Sequence, residues 1–262
     1  RRAASACLEW CRLLKGPPTS FIWDQAWLTV DARTIADALK YAPTGERIRI
    51  AEGTMLRGQY VCSTPIHLKA EAGVRLHGRL YLESRCSGNE AALVREETTG
   101  SSTEGVVEGL TMTHYMDEAI QVRSGHWILR GCTISSSQRA RATTSIMVKA
   151  VGCVQLHGCR ISRSQHALSL ERASCALFAC ECTFSECKAA IITRGGGCVV
   201  VERSSFVANE AALLLDDLVH GHAEGNLVDG SMFGRWARPS GFRCYRNSYA
   251  LPEEDEDEQL IE

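Results

Sequence analysis

No run of about 18 apolar residues occurs in the chain, so no segment is long enough to cross a membrane as a helix. Charge of one sign is missing too. The 29 Lys and Arg against 31 Asp and Glu leave a formal net charge of -2. That removes any global pull toward nucleic acid or an anionic membrane. Lysine is scarce: Lys15, Lys40, Lys69, Lys149 and Lys188 are all there are, so most positive charge is arginine, which stacks and pairs bidentately. None of Asn89, Asn209, Asn226 and Asn247 opens an N-x-S/T sequon, and no C-x-x-C pair or GxxxxGK loop occurs. These absences exclude the common paired-cysteine zinc spacing and a P-loop.

What is present is cysteine, 13 in all. The number is odd, and the spacing follows a repeat rather than a disulfide framework. Such cysteines act as small buried hydrophobes. With the missing sequons, they point to a reducing intracellular compartment, cytoplasmic or nuclear. The chain opens on Arg1-Arg2 without Met or a signal peptide, and reads as a fragment or processed product.

The repeat is visible by eye. Cys153 to Ser174, Cys175 to Gly196 and Gly197 to Leu218 read as three versions of one unit. Leu110, Cys132, Cys159, Cys182 and Ser204 anchor successive units, with steps of 22, 27, 23 and 22. The long step holds the polar insertion Gln138 to Thr144. Two residues after each anchor stands Met112, Ile134, Ile161, Phe184 or Phe206. Each unit has three short stretches alternating with period 2, which is the mark of strands. Three strands in about 22 residues suit a coil of parallel strands whose equivalent residues stack in columns. The cysteines of the anchor column then face inward. The expected fold is all-β, a single-stranded right-handed parallel β-helix with three strands per coil, about eight or nine coils.

Such a solenoid needs caps. Thr34 to Ala42 carries Ile35, Ala38, Leu39 and Ala42 at helical spacing, with Thr34 and Asp37 as a capping box and Pro43 and Gly45 as a stop. This is the N-terminal capping helix. The pattern fades after Leu218, and the aromatic, basic stretch from Ser231 to Pro252 is expected to cover the last coil. The expected organisation is residues 1–30 as a helical docking segment, 31–250 as the capped β-helix and 251–262 as a disordered acidic tail.

The run DARTIADALKYAPTGERIRIAEGTM followed by such coils resembles the pectin-lyase-like β-helix superfamily over residues 28–250. Within it, LEWCRLL and WDQAWLTV look like the junction in β-helix F-box proteins and in the Shc-SH2-binding-protein and nessun dorma group. The resemblance implies a non-enzymatic recognition scaffold for a protein or glycan partner. It also implies a possible substrate-recognition part of a ubiquitin ligase, with residues 1–30 as an F-box remnant docking a Skp-type adaptor. No nucleic acid, cofactor or metal is expected.

The alternative is a carbohydrate-active enzyme, lyase-like or hydrolase-like, or else a structural subunit of a large assembly. An enzyme of that class would carry two or three acids on one outer face across adjacent coils. The sequence supplies mostly Ser, Thr, Gln and Arg at the positions expected there. Asp216-Asp217 and His220-Gly221-His222 resemble the DD and GHG motifs of polygalacturonases, but here they fall in one turn instead of one coil apart. Asp216, Asp217 and His222 are therefore weak catalytic candidates. The binding candidates are the aromatic–arginine set Arg235, Trp236, Arg238, Arg243 and Tyr245, together with Trp23 and Trp27. Ser135 to Ser137, Ser162, Ser164 and Ser185 are expected to form a hydroxyl ladder along a turn, and Arg123, Arg130 and Arg160 a basic stripe.

Overall fold

A computed structural model describes residues 27–84, 104–114, 117–137, 144–233 and 238–250. Every strand pairing in it is parallel, and the chain winds as a right-handed parallel β-helix. Three sheets run along it. The long sheet stacks Leu28–Val30, Arg47–Ile50, His67–Ala70, Glu104–Glu108, 126–130, 153–157, Ala176–Cys180, Gly197–Glu202, Val219–Glu224 and Phe242–Tyr245. The second sheet runs from 55–57 through Thr133–Ser136, Thr183–Ser185 and Leu227–Asp229 to Ser248–Ala250. The third holds 60–62, 80–82, 118–122, 144–148, His166–Leu170, Ala189–Thr193 and Ala211–Leu214.

The register repeats every 22 residues through the later coils, as in Ala176↔Cys198 and Cys198↔His220. It tightens to 20 in the first two, as in Arg47↔His67. The expected inward columns are present. Met112, Ile134, Ile161, Phe184 and Phe206 are buried and continue into Val228, with Phe184 and Phe206 stacked at 5.2 Å. Cys132, Cys159 and Cys182 form the buried column beside them. Burial pushes the Cys62 and Cys187 thiols above their ordinary range, the former to about 12, as apolar surroundings require. At the largest inner side chain, Trp127, the preceding rung is small. Gly105 lies under the Trp127 ring, and a Cβ there would overlap it.

The turn into the second sheet places one left-handed residue per coil. Gly131, Gly158, Glu181, Arg203, Gly225 and Arg246 all have φ between 48° and 64°. After it, the column changes from thiol to amide. Asn226 Oδ1 accepts from the Ser204 N–H, and its Nδ2 donates to the Val201 carbonyl. Asn247 repeats the pattern on Asn226 and Ala223. Backbone groups that the tight turn leaves without a ladder partner are thereby satisfied.

Three expectations are corrected at the ends. The helix Ile35–Tyr41 buries Ile35 and Leu39 over the bore, but its capping box lies three residues upstream of the expected one. Asp31 Oδ1 accepts from the Thr34 N–H, and Thr34 Oγ1 accepts from the Asp31 N–H. Asp31 is held below the ordinary carboxylate range, first by the Thr34 hydroxyl that donates to its Oδ1 and then by the Arg33 and Thr34 N–H groups. Leu28–Val30, placed in the docking segment, instead adds a rung ahead of the first coil. Phe242–Tyr245 and Ser248–Ala250, expected to cover the last coil, are themselves a further coil, with Phe242 pointing into the core. Residues 1–26 and the acidic tail from residue 251 lie outside the described residues.

Candidate functional site

The outward face of the long sheet carries three columns, because successive side chains on a strand alternate sides. Their middle is apolar. Ala176, Phe178, Cys180, Cys198 and Val200 form a second buried cluster outside the bore. Toward the C-terminal coils the columns turn polar. Glu202 and Glu224 face one another in register on adjacent rungs, and His222 stands two residues before Glu224 on the same face. His222 Nε2 lies 3.1 Å from Glu202 Oε1. One ligand atom from each of Glu202, His222 and Glu224 lies within 4.8 Å of the others, and all three side chains are half-buried.

The surroundings are mixed in charge. Arg243 follows His222 along its column, and Tyr245 follows Glu224. The Tyr245 ring centroid is 6.1 Å from that of His222. Below Glu202 stands Cys180, whose sulfur accepts from Arg203 Nη2 at 2.8 Å. Burial pushes the Cys180 thiol up, and Arg203 opposes the shift. Arg203 also approaches Glu181 at 3.4 Å and Glu202 at 3.9 Å, so part of the carboxylate charge is already met.

Two carboxylates and an imidazole in this arrangement form an O,O,N donor set. Imidazole suits zinc and related transition metals better than calcium, which prefers an all-oxygen shell. Three protein donors leave coordination positions open to ligand oxygens. The residues present therefore fit a divalent cation.

The expected site residues separate. Asp216 sits in the turn before Val219–Glu224. Its Oδ1 accepts from the Leu218 N–H and its Oδ2 from the Gly195 N–H, so it serves the turn. Asp217 shares that turn, whereas His220 and His222 lie on the strand and point outward. Arg243 and Tyr245 lie on the rung next to the candidate centre, in register with His222 and Glu224, while Arg238 stands by Cys244. Arg235, Trp236 and Trp23 lie outside the described residues. Trp27 is at the far end of the same face. Its ring is 4.3 Å from the Arg47 guanidinium, 5.2 Å from that of Arg49 and 4.8 Å from the His67 ring. Eight rungs of about 4.8 Å, roughly 40 Å, separate Arg49 from Tyr245. Ser135, Ser162 and Ser185 do stack in register. The basic stripe does not form, because Arg123 pairs with Glu83 and stacks on Tyr81 while Arg130 and Arg160 lie on different sheets.

Sequence reasoning missed Glu202 and Glu224. Their spacing of one coil is the signal that finds them once the register is known.

By fold, then, the chain is a right-handed parallel β-helix protein. No family model matches it, and no curated protein is similar to it. Among solved structures it is similar to a mutant of the PL6 family alginate lyase AlyGC, at 15% identity and a TM-score of 0.40. The match covers 84% of this chain and 40% of that one, so the chain spans well under half of the lyase's length.

Proposed function

We propose that the protein is carbohydrate-active, engaging an acidic polysaccharide at the C-terminal end of the long sheet through a divalent cation. The observation that carries this reading is the Glu202, His222 and Glu224 donor set. Acids on adjacent coils of one outer face are the feature that separates a carbohydrate-active β-helix from a plain scaffold. Glu202 and Glu224 meet that description. A cation held there takes sugar oxygens at its open positions. Arg243, on the rung after His222, supplies a guanidinium for a uronate carboxylate, and the exposed Tyr245 ring offers a flat apolar face to a sugar ring. The adaptor-docking reading rests on residues 1–30, of which 1–26, Trp23 included, lie outside the described residues, while Trp27 is engaged with Arg47 and Arg49.

The test is binding and depolymerisation measured against a panel of acidic and neutral polysaccharides, with zinc or manganese and with EDTA. The reading expects retention of an acidic polymer that EDTA abolishes and that Glu224→Gln weakens. Binding of neutral polymers alone, or no binding in either condition, would contradict it.

A further inference from the structure

The N-terminal end of the long sheet's outer face is built of basic side chains around one indole. Arg47 and Arg49 alternate outward on one rung, and His67 and Lys69 lie in register with them on the next. Trp27 immediately precedes the first rung, and its ring gathers all four. The Arg47 and Arg49 guanidiniums lie 4.3 and 5.2 Å from the ring centroid and the Lys69 ammonium 6.0 Å. The His67 ring meets it edge-on at 4.8 Å. All five side chains are half-buried, so they are held by neighbours and still open to a solute.

Glu71 and Glu108 answer part of this charge. Glu71 Oε1 is 3.2 Å from Arg49 Nε, which is not aligned for a hydrogen bond. Glu108 is shared. Its Oε2 lies 3.3 Å from His67 Nε2, and it stands in register between Lys69 and Arg130. Burial holds the His67 imidazole below its ordinary range; Glu108 opposes that shift, and Arg47 and Arg130 add to it. Like charges gathered this closely repel one another. The negative face of the Trp27 ring relieves some of that repulsion and fixes where the cations stand.

We infer that this array is a metal-independent binding site for a sulfate or phosphate ester group. A tetrahedral ester oxyanion presents three acceptor oxygens, one for each cation that Trp27 gathers. Guanidinium is the side chain best matched to such a group, because its fork of donors is planar and rigid. Cation–π contact with Trp27 orders Arg47 and Arg49 before the ligand arrives, which lowers the entropy lost on binding. A sulfated sugar and free phosphate share this chemistry. The site lies at the other end of the sheet from Glu202, His222 and Glu224 and does not rest on a cation there.

The test uses the full chain in EDTA, which removes any contribution from metal. It is titrated with a sulfated disaccharide, with the same disaccharide after desulfation, and with inorganic phosphate. Binding is followed by calorimetry and by the His67 resonance in NMR, assigned with His67→Gln. The expected result is saturable binding of the sulfated sugar that weakens steeply as sodium chloride is raised. The pH at which His67 titrates should rise with ligand bound, because the anion opposes Arg47 and Arg130. Arg47→Gln and Lys69→Gln should each weaken binding roughly 10-fold, and Arg49→Lys, which keeps the charge, should weaken it less. Circular dichroism checks that each variant is folded. Preference for the sulfated sugar over inorganic phosphate assigns the site to a sugar ester, and equal binding of the two assigns it to the free anion. No saturable binding of either, equal binding of the desulfated sugar, or unchanged affinity in folded Arg47→Gln and Lys69→Gln overturns the inference.

Discussion

The two faces of the long sheet come from the same strands and behave as different materials. Inward, each rung is fitted to the next by volume: Trp127 over Gly105, then Val154, Leu177, Val199, Gly221 and Phe242. Outward, the same rungs present Glu104, His126 and Cys153 in one column and His222, Glu202 and Glu224 in the others. Close packing constrains the inner face because it tolerates little change in volume. The outer face is constrained by charge and hydrogen bonding. Alternation lets a single strand satisfy both demands, so fold and chemistry can vary almost independently.

The sharpest way to break this contrast is at neighbouring residues. Gly221 has φ of 136°, and a Cβ there would overlap the Val199 carbonyl oxygen. Gly221→Ala should cost about 4 kcal/mol or more, enough to unfold a marginal protein. His222→Ala, one residue on and facing out, should cost about 1 kcal/mol or less. Equilibrium denaturation compares the two, and a stable Gly221→Ala protein would refute the inward assignment. Next in size is Phe184→Ala, which removes one of a buried stacked pair and should cost about 3–5 kcal/mol. Ser185→Ala, its outward neighbour, should change stability by about 0.5 kcal/mol at most. Asn226→Ala should cost about 2 kcal/mol, because it strips partners from the Ser204 N–H and the Val201 carbonyl. A neutral Asn226→Ala would mean the amide column is not a support.

These contrasts also explain what could be read from the chain. The inner columns were legible because Ile134, Ile161, Phe184 and Phe206 recur at nearly one spacing and differ little in character. The first coils were harder, since their step is 20 rather than 22. The last coil escaped because the step slips to 21 between Gly221 and Phe242, and because asparagine replaces cysteine after the turn. The capping box sits three residues earlier because Asp31–Thr34 and Thr34–Asp37 share its spacing, and the reciprocal bonds form at the first pair. Outer-face chemistry was nearly illegible. Glu202 and Glu224, or His126 and Cys153, are far apart in the chain and meet only once the register is exact to one residue.

A smaller effect sharpens the outer-face account through pH. The ordinary imidazole value is 6.5, and His126 is held up at about 10. Its contribution to stability is therefore complete below pH 6.5 and is lost as pH rises through 10. Glu104, held low, contributes above its ordinary value of 4.5 and loses its contribution on acidification. The difference in melting temperature between the native chain and His126→Gln should thus shrink steadily from pH 6.5 to 10. A difference that stays constant over that range would show that the charged pair does not form.

The most direct measurement for the central claim is calorimetric titration of zinc or manganese into the metal-free full chain and into Glu224→Gln and His222→Ala. The account predicts one site on the native chain, weakened roughly 10-fold or more in either variant. The same affinity in all three proteins, or no heat with the native chain, would contradict it.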